Sequence, residues 1–356
     1  MTRQDEAARP RARHVVPVWG VTLLLLALVL AWKLADVLLL VFAAVLLALI
    51  LRLMARPLER RWSPRVALTA VVLALGVALV LGFWLVGANA IDELQTLRAT
   101  LPRSWQALRD WLGTHAVGRW LIDLVASARA VPETWSARVA GWATGTINAT
   151  FAAVGAVVLI VALAIYFAAD TTTYRSGVVR LVPPQRRGLA AQTLDALGED
   201  LTRWLKGQGV SMLAVGALTA IGLSIIGMPL VLTLSALAAV LDFVPYFGPI
   251  ASGALIVAVA FTEGERQALY AALVCLVVQQ AEAYLVQPIA QRWAVRLPPV
   301  LSLLSVLVFG LLFGLPGVLL AVPLMVMLQT LVQQLYIGAL LEAAPNDRGA
   351  QRNVAR

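Results

Sequence analysis

Leu241-Asp242-Phe243-Val244-Pro245-Tyr246-Phe247-Gly248-Pro249-Ile250 breaks an apolar run that covers residues 229–261. Pro245 and Pro249 lack amide protons and disfavour helix at the residue before them, and Gly248 opens turn conformations. The backbone therefore leaves the helix here, and its freed polar groups cannot face lipid. The break must lie inside protein or line a wet cavity. It also carries a carboxylate, Asp242, in otherwise apolar sequence. The arms beside it are about 12–13 residues each and rise roughly 18–20 Å, short of a bilayer core of about 30 Å. The segment is expected to form a re-entrant helical hairpin with residues 242–249 near its tip.

The rest of the chain supplies the membrane. Of 356 residues, 61% are hydrophobic and 13% charged, against about 25% charged in a soluble domain. The surplus apolar surface requires lipid. Apolar runs at 18–31, 37–51, 67–87, 147–169, 208–227, 229–261, 268–289 and 299–337 predict an all-α polytopic membrane protein. It would have about eight transmembrane helices or half-helices, one or two of them re-entrant hairpins. The basic residues before the first run resemble a signal peptide. No clean small-x-small site follows, however, and a second apolar run starts almost at once. The first two runs are therefore expected to stay as a helical hairpin. The single cysteine, Cys275, leaves no intrachain disulfide.

The net charge of +9 reads as loop charge that orients helices rather than as a nucleic-acid surface. Assigning the loops to alternate sides places 20 of the 28 Lys and Arg on one side, in 1–17, 52–66, 170–207, 290–298 and 338–356. That side is expected to be cytoplasmic, with both tails on it. Short loop 52–66, with Arg52, Arg56, Arg60, Arg61 and Arg65, weighs most. Seventeen of the 19 acidic residues also fall in loops, and the two exceptions are Asp242 and Glu282.

This division gives a cytoplasmic tail (1–17), N-terminal transmembrane helices (18–87), an extracytoplasmic segment (88–146), a transporter core (147–337) and a cytoplasmic tail (338–356). Segment 88–146 repeats apolar residues at helical spacing and holds Trp105, Trp111, Trp120, Trp135 and Trp142. That pattern suits amphipathic helices at a headgroup interface or against a neighbouring subunit. Connector 170–207 carries Pro183-Pro184, Arg186-Arg187 and an amphipathic helix. A basic patch beside a membrane points to anionic lipid. In the span after it, Gly216, Ala220 and Ser224 recur every four positions, a close-packing signal.

Run 299–337 has its own break at Phe313-Gly314-Leu315-Pro316-Gly317 and is expected to form a second hairpin of opposite direction, or two full spans. Opposed hairpins of this kind build midplane substrate sites. Between the two breaks, run 268–289 is the most polar membrane helix. Gln280, Tyr284 and Gln287 lie near one face, and Gln279 and Glu282 on a neighbouring one.

Three stretches together resemble the AI-2E family of transporters. Asp242 through Pro249 is similar to its N-x-I-P-x-x-G signature. Gln279-Gln280-Ala281-Glu282 with Pro288 is similar to its Q-x-I-E…P helix. Leu312-Phe313-Gly314 through Gly317, Ala321, Val322 and Pro323 resembles its L-F-G-x-x-G-x-x-L-A-V-P segment. The resemblance covers about residues 15–337. It implies a secondary transporter of the inner membrane, an oligomer, and export of autoinducer-2 or, in other branches, sodium(lithium)/proton antiport. The family usually carries Asn where this chain has Asp242, which favours proton or cation coupling here.

A bare carboxylate at the bilayer centre costs roughly 2.5–3.5 kcal/mol on insertion scales. Protonation, or a bound hard cation with Gln and backbone oxygens as co-ligands, would offset it. Asp242, Glu282, Gln279, Gln280, Gln287 and Tyr246 are the candidate solute- or ion-binding residues. Pro245, Gly248, Pro249, Gly314, Pro316 and Gly317 set the hairpin tips. Two bland roles stand beside these: Asp242 as a cap on the turn, and Glu282 in a vestibule or paired with Arg292 or Arg296. The expected partners are a small polar solute, H⁺ or Na⁺, and membrane lipid, with no nucleic acid and no cofactor. His14 and His115 lack metal-ligand spacing, and no phosphate-binding G-x-x-x-x-G-K-[ST] loop is present, so neither an enzyme nor direct ATP drive is expected.

Overall fold

A computed structural model describes residues 33–77, 147–290 and 298–336, together with a few isolated positions between 106 and 119. Run 18–31, nearly all of segment 88–146, and both tails lie outside the described residues. The described elements are helical, and no strand occurs among them. They are α1 (Ala35–Ala55), α2 (Pro64–Val77), α3 (Ile147–Ala169), α4 (Thr171–Arg180), α5 (Arg187–Ile225), α6 (Val231–Leu241), α7 (Phe247–Phe261), α8 (Glu265–Ala281) and α9 (Pro299–Leu331). Four described helices are long and apolar enough to cross a membrane, or five if the bent pair α3 and α4 makes one span.

Local chemistry sets the ends. Asp170 caps α4 by accepting from the Thr173 amide at 3.2 Å. α5 closes in a Schellman motif: Gly227 takes φ 65°, Met228 N–H donates to Leu223 O at 3.0 Å, and Gly227 N–H to Ser224 O at 3.1 Å. Gln267 adds a bond to Ile226 O at 2.6 Å. The connector helix and the following span, expected as separate pieces, are one 39-residue helix, α5. No proline interrupts 185–225, so nothing ends the helix where it reaches the arginine-rich face. At about 58 Å it is twice the bilayer core, and part of it stands clear.

The first hairpin forms as expected. α6 and α7 hold 11 and 15 residues, too short to cross singly. A Cβ on Gly248 would overlap the Leu241 carbonyl, so glycine lets the second arm start against the end of the first. The second hairpin is also present, within α9. Gly314 has φ 68° and ψ −143°, a backbone state that side chains disfavour. Gly317 lies against the Phe309 carbonyl and Phe313. A straight helix would hold residues 309 and 317 about 12 Å apart along its axis, so the chain reverses here. Val306 and Ala321 accordingly share one apolar cluster.

Close packing follows the small residues in part. A Cβ on Gly216 would come within 2.8 Å of Ala239, and one on Gly222 would overlap Val274. Ser224, expected on the same packing stripe, is exposed. The stripe that is buried runs Ser211, Val215, Thr219, Leu223. The opposite face of α5, with Leu213 and Ile225 each nearly four-fifths exposed, is apolar surface for lipid. One core joins α1, α2 and α3. A second joins α5 through α8. A third ties α1, α5 and the second arm of α9 through Leu46, Leu201, Trp204, Leu205, Val322 and Val326.

Candidate functional site

Asp200, Trp204, Gln208 and Ser211 recur at intervals of four, four and three, so they share one face of α5. Three other elements dock on that face. The second arm of α9 does so through Thr330, whose hydroxyl donates to Asp200 Oδ2 at 2.8 Å. The first hairpin tip rests its Phe243 ring edge-on against Trp204, with centroids 5.6 Å apart. Gln208 Nε2 donates to the Asp242 carbonyl at 2.7 Å, across 34 residues of chain. One turn further along, Ser211 Oγ donates to Glu282 Oε1 at 3.2 Å.

Glu282 opens a π turn, Glu282–Val286, that follows α8. Its cause lies downstream. Pro288 offers no amide proton and crowds the carbonyl four residues earlier, and a wider turn absorbs both. The Gln287 amide reaches back five residues to Glu282 O. Glu282 enters the interior there, 9% exposed, and its second oxygen accepts from Gln279 Nε2 at 3.4 Å. Ser211 and Gln279 are thus its described partners; Arg292 and Arg296, the expected ion-pair alternatives, lie outside the described residues.

Asp242 follows the last residue of α6 and is 2% exposed. Its side chain caps nothing on the turn. The amides of Phe243, Val244, Phe247 and Gly248 all donate to backbone carbonyls. Its carboxyl interacts with Ser211 and lies within Coulombic reach of Glu282. Its Oδ2 has no hydrogen-bond partner among the described residues. Two buried carboxylates from two elements therefore converge on one serine.

Of the residues expected at the site, the fold gathers Asp242, Glu282 and Gln279. Gln280, Tyr284 and Gln287 are exposed on the far side of the helix. The rotation is a matter of phase: Val278, Glu282 and Val286 form the buried line, which turns positions 280, 284 and 287 outward. Tyr246 is 43% exposed and adopts φ 67°, and no hydrogen bond joins it to the carboxylates among the described residues. Pro245 and Pro249 flank the tip, and Gly248 is buried beneath it. The second hairpin meets the first through Val306, Phe309, Val318 and Ala321, which pack with Phe243 and Val244. Val306 and Ala321 lie about two turns from Gly314, and Phe309 and Val318 little more than one. The first tip therefore packs on the arms of the second hairpin, close beside its tip at Gly314, Pro316 and Gly317. Gln208 and Ser211 were not anticipated. Their signal was a polar residue at positions 208 and 211 of an apolar run, in phase with Asp200 and Trp204.

An all-helical, multi-pass membrane protein with re-entrant hairpins around a buried polar cluster has the architecture of a transporter. The AI-2E family transporter model matches residues 21–337, and the chain belongs to that family, whose members are transporters and not enzymes. Among similar proteins, "Putative permease PerM" of Escherichia coli strain K12 is 25% identical over 295 residues, covering 77% of this chain and 79% of its own. "Putative transport protein MT0215" of Mycobacterium tuberculosis is 28% identical over 286 residues, covering 79% and 78%. "Putative transport protein YueF" of Bacillus subtilis is 25% identical over 241 residues, covering 65% and 62%.

Proposed function

We propose that this chain is a secondary transporter of the bacterial inner membrane that exports a small polar solute of the autoinducer-2 kind, driven by exchange of a proton or cation at Asp242 and Glu282. The observation that carries this reading is the convergence of two buried carboxylates on Ser211. Like charges in a dry site repel, and a proton or a cation between them relieves the repulsion. Asp242 sits on a hairpin tip and Glu282 on a π turn, so a shift of the tip along α5 changes the distance between the charges. Proton or cation release is thereby linked to the position of the hairpin. In this reading the arginine-rich loops and both tails face the cytoplasm, and the protein works as a homo-oligomer.

The test is solute efflux from proteoliposomes with and without a pH gradient. Wild type should respond to the gradient, Asp242→Asn should lose the response and keep downhill flux, and Glu282→Gln should behave likewise. Gradient-independent flux in wild type would instead mark a passive channel. A second reading is sodium(lithium)/proton antiport. It is favoured by the donor set, since two carboxylates and the Ser211 hydroxyl are hard oxygen ligands. Sodium-driven proton movement in liposomes without organic solute would select it.

A further inference from the structure

α4 leaves the end of α3 at 87°. α3 is a 23-residue apolar helix, about 34 Å long and sufficient to cross the bilayer core. A helix at right angles to its end runs along the membrane surface. α4 has two distinct faces there. Arg175, Val179 and Val182, spaced four and three, are partly buried. Arg175 turns to α5, holding Asp195 through Nε at 2.7 Å and Nη2 at 2.6 Å, with Nη2 also 3.4 Å from Ala191 O.

The other face, Tyr174, Val178 and Leu181, has the same spacing and is 43%, 49% and 85% exposed. Its direction is fixed by one contact. The Tyr174 ring packs edge-on against Phe167, centroids 4.9 Å apart, and Phe167 lies two residues before the end of α3. The exposed apolar face is therefore the one turned back toward the bilayer. Arg180 directly precedes Leu181, and Arg186 closes the short turn Pro184–Arg186 that follows; both are exposed, and their side chains have no hydrogen-bond or ion-pair partner among the described residues. Arg187 is committed elsewhere, to the carbonyls of Val182 at 3.1 Å and Arg180 at 3.4 Å.

We propose that α4 is an in-plane anchor seated in the headgroup layer, with Tyr174, Val178 and Leu181 in the acyl boundary and the Arg180 and Arg186 guanidinia on the phosphate of an anionic phospholipid. Arginine forks suit phosphate oxygens, and apolar side chains beneath them suit the acyl chains. An anionic lipid supplies both chemistries at once.

The test uses the full chain in liposomes, carrying Cys275→Ser and a fluorophore on Leu181→Cys, with Glu199→Cys as the comparison site at an exposed position in the charged first half of α5. Brominated lipid should quench the label at 181 and leave that at 199 unaffected. Equal quenching at the two positions overturns the in-plane seating. In mixed bilayers, brominated phosphatidylglycerol should quench position 181 more strongly than brominated phosphatidylcholine at equal content. Arg180→Gln with Arg186→Gln should reduce that preference about five-fold per arginine, with quenching by phosphatidylcholine retained. The Lys versions should keep the preference, which separates lost charge from lost fold. Equal quenching by the two lipids in the parent protein overturns the phosphate contact.

Discussion

Ser211 Oγ and Glu282 Oε1, 71 residues apart in the chain, are joined by a 3.2 Å hydrogen bond inside the membrane part of the protein. That bond fastens the long helix α5 to the π turn after α8 and holds one carboxylate within reach of Asp242. Ser211→Ala removes one of two donors from Glu282. The expected loss is about 1–3 kcal/mol, the range for a buried polar group that loses its hydrogen-bond partner, read as a lower unfolding midpoint in detergent. Glu282→Gln combined with Ser211→Ala should cost less than the sum of the two single changes, because both act on the same bond. Additive losses would show that the bond carries no weight.

Gly248 and Gly317 are both required for space. A Cβ on either would overlap a backbone carbonyl, that of Leu241 or of Phe309. Gly248→Ala and Gly317→Ala should each lower stability by about 1–3 kcal/mol, the usual cost of overpacking. Gly227 has open space around it and a φ of 65°. Gly227→Ala should cost only the left-handed backbone penalty, about 1–2 kcal/mol, and Gly227→Asn should recover part of it. Thermal unfolding monitored by size exclusion of the purified protein measures all four.

Trp204 and Phe243 join α5 to the first hairpin tip one turn away from the Gln208 bond. A double-mutant cycle with Trp204→Leu and Phe243→Leu should give a coupling of about 0.5–1.5 kcal/mol, as for other edge-to-face pairs. A coupling near zero would mean that the tip is held by Gln208 and Val244 alone.

Asp195 gives a pH dependence with a definite sign. Arg175 holds its carboxyl below the ordinary carboxylate value, first by the hydrogen bond and then by charge. A group depressed in the folded state adds stability above its unfolded pKa, near 3.9 for Asp, and loses it as pH falls through the folded value. The Arg175 and Asp195 side chains are 40% and 57% exposed, so solvent screening keeps the effect small. Wild type should unfold at a slightly higher temperature than Asp195→Asn above about pH 5, and the two should converge below about pH 3. A constant difference across this range would mean that Asp195 acts through packing.

The break at Pro245, Gly248 and Pro249, and that at Gly314, Pro316 and Gly317, were decided by the sequence because proline and glycine act on their own backbone. Glycine at 248 and 317 also left room for the chain to double back. The same locality made Asp242 and Glu282 legible, since an ionisable residue in an apolar run is conspicuous without any fold. What only the tertiary structure decided is which side chains meet. Helical phase turned Glu282 inward with Val278 and Gln280 outward, and the π turn that accommodates Pro288 keeps Val286 on the buried line and Gln287 off it. The partners Gln208 and Ser211 come from a helix more than 30 residues before Asp242; their polarity in an apolar run marks them, but nothing local says which residues they meet. Packing of the two hairpins against one face of α5 makes it, and such packing depends on the shapes of surfaces distant in sequence.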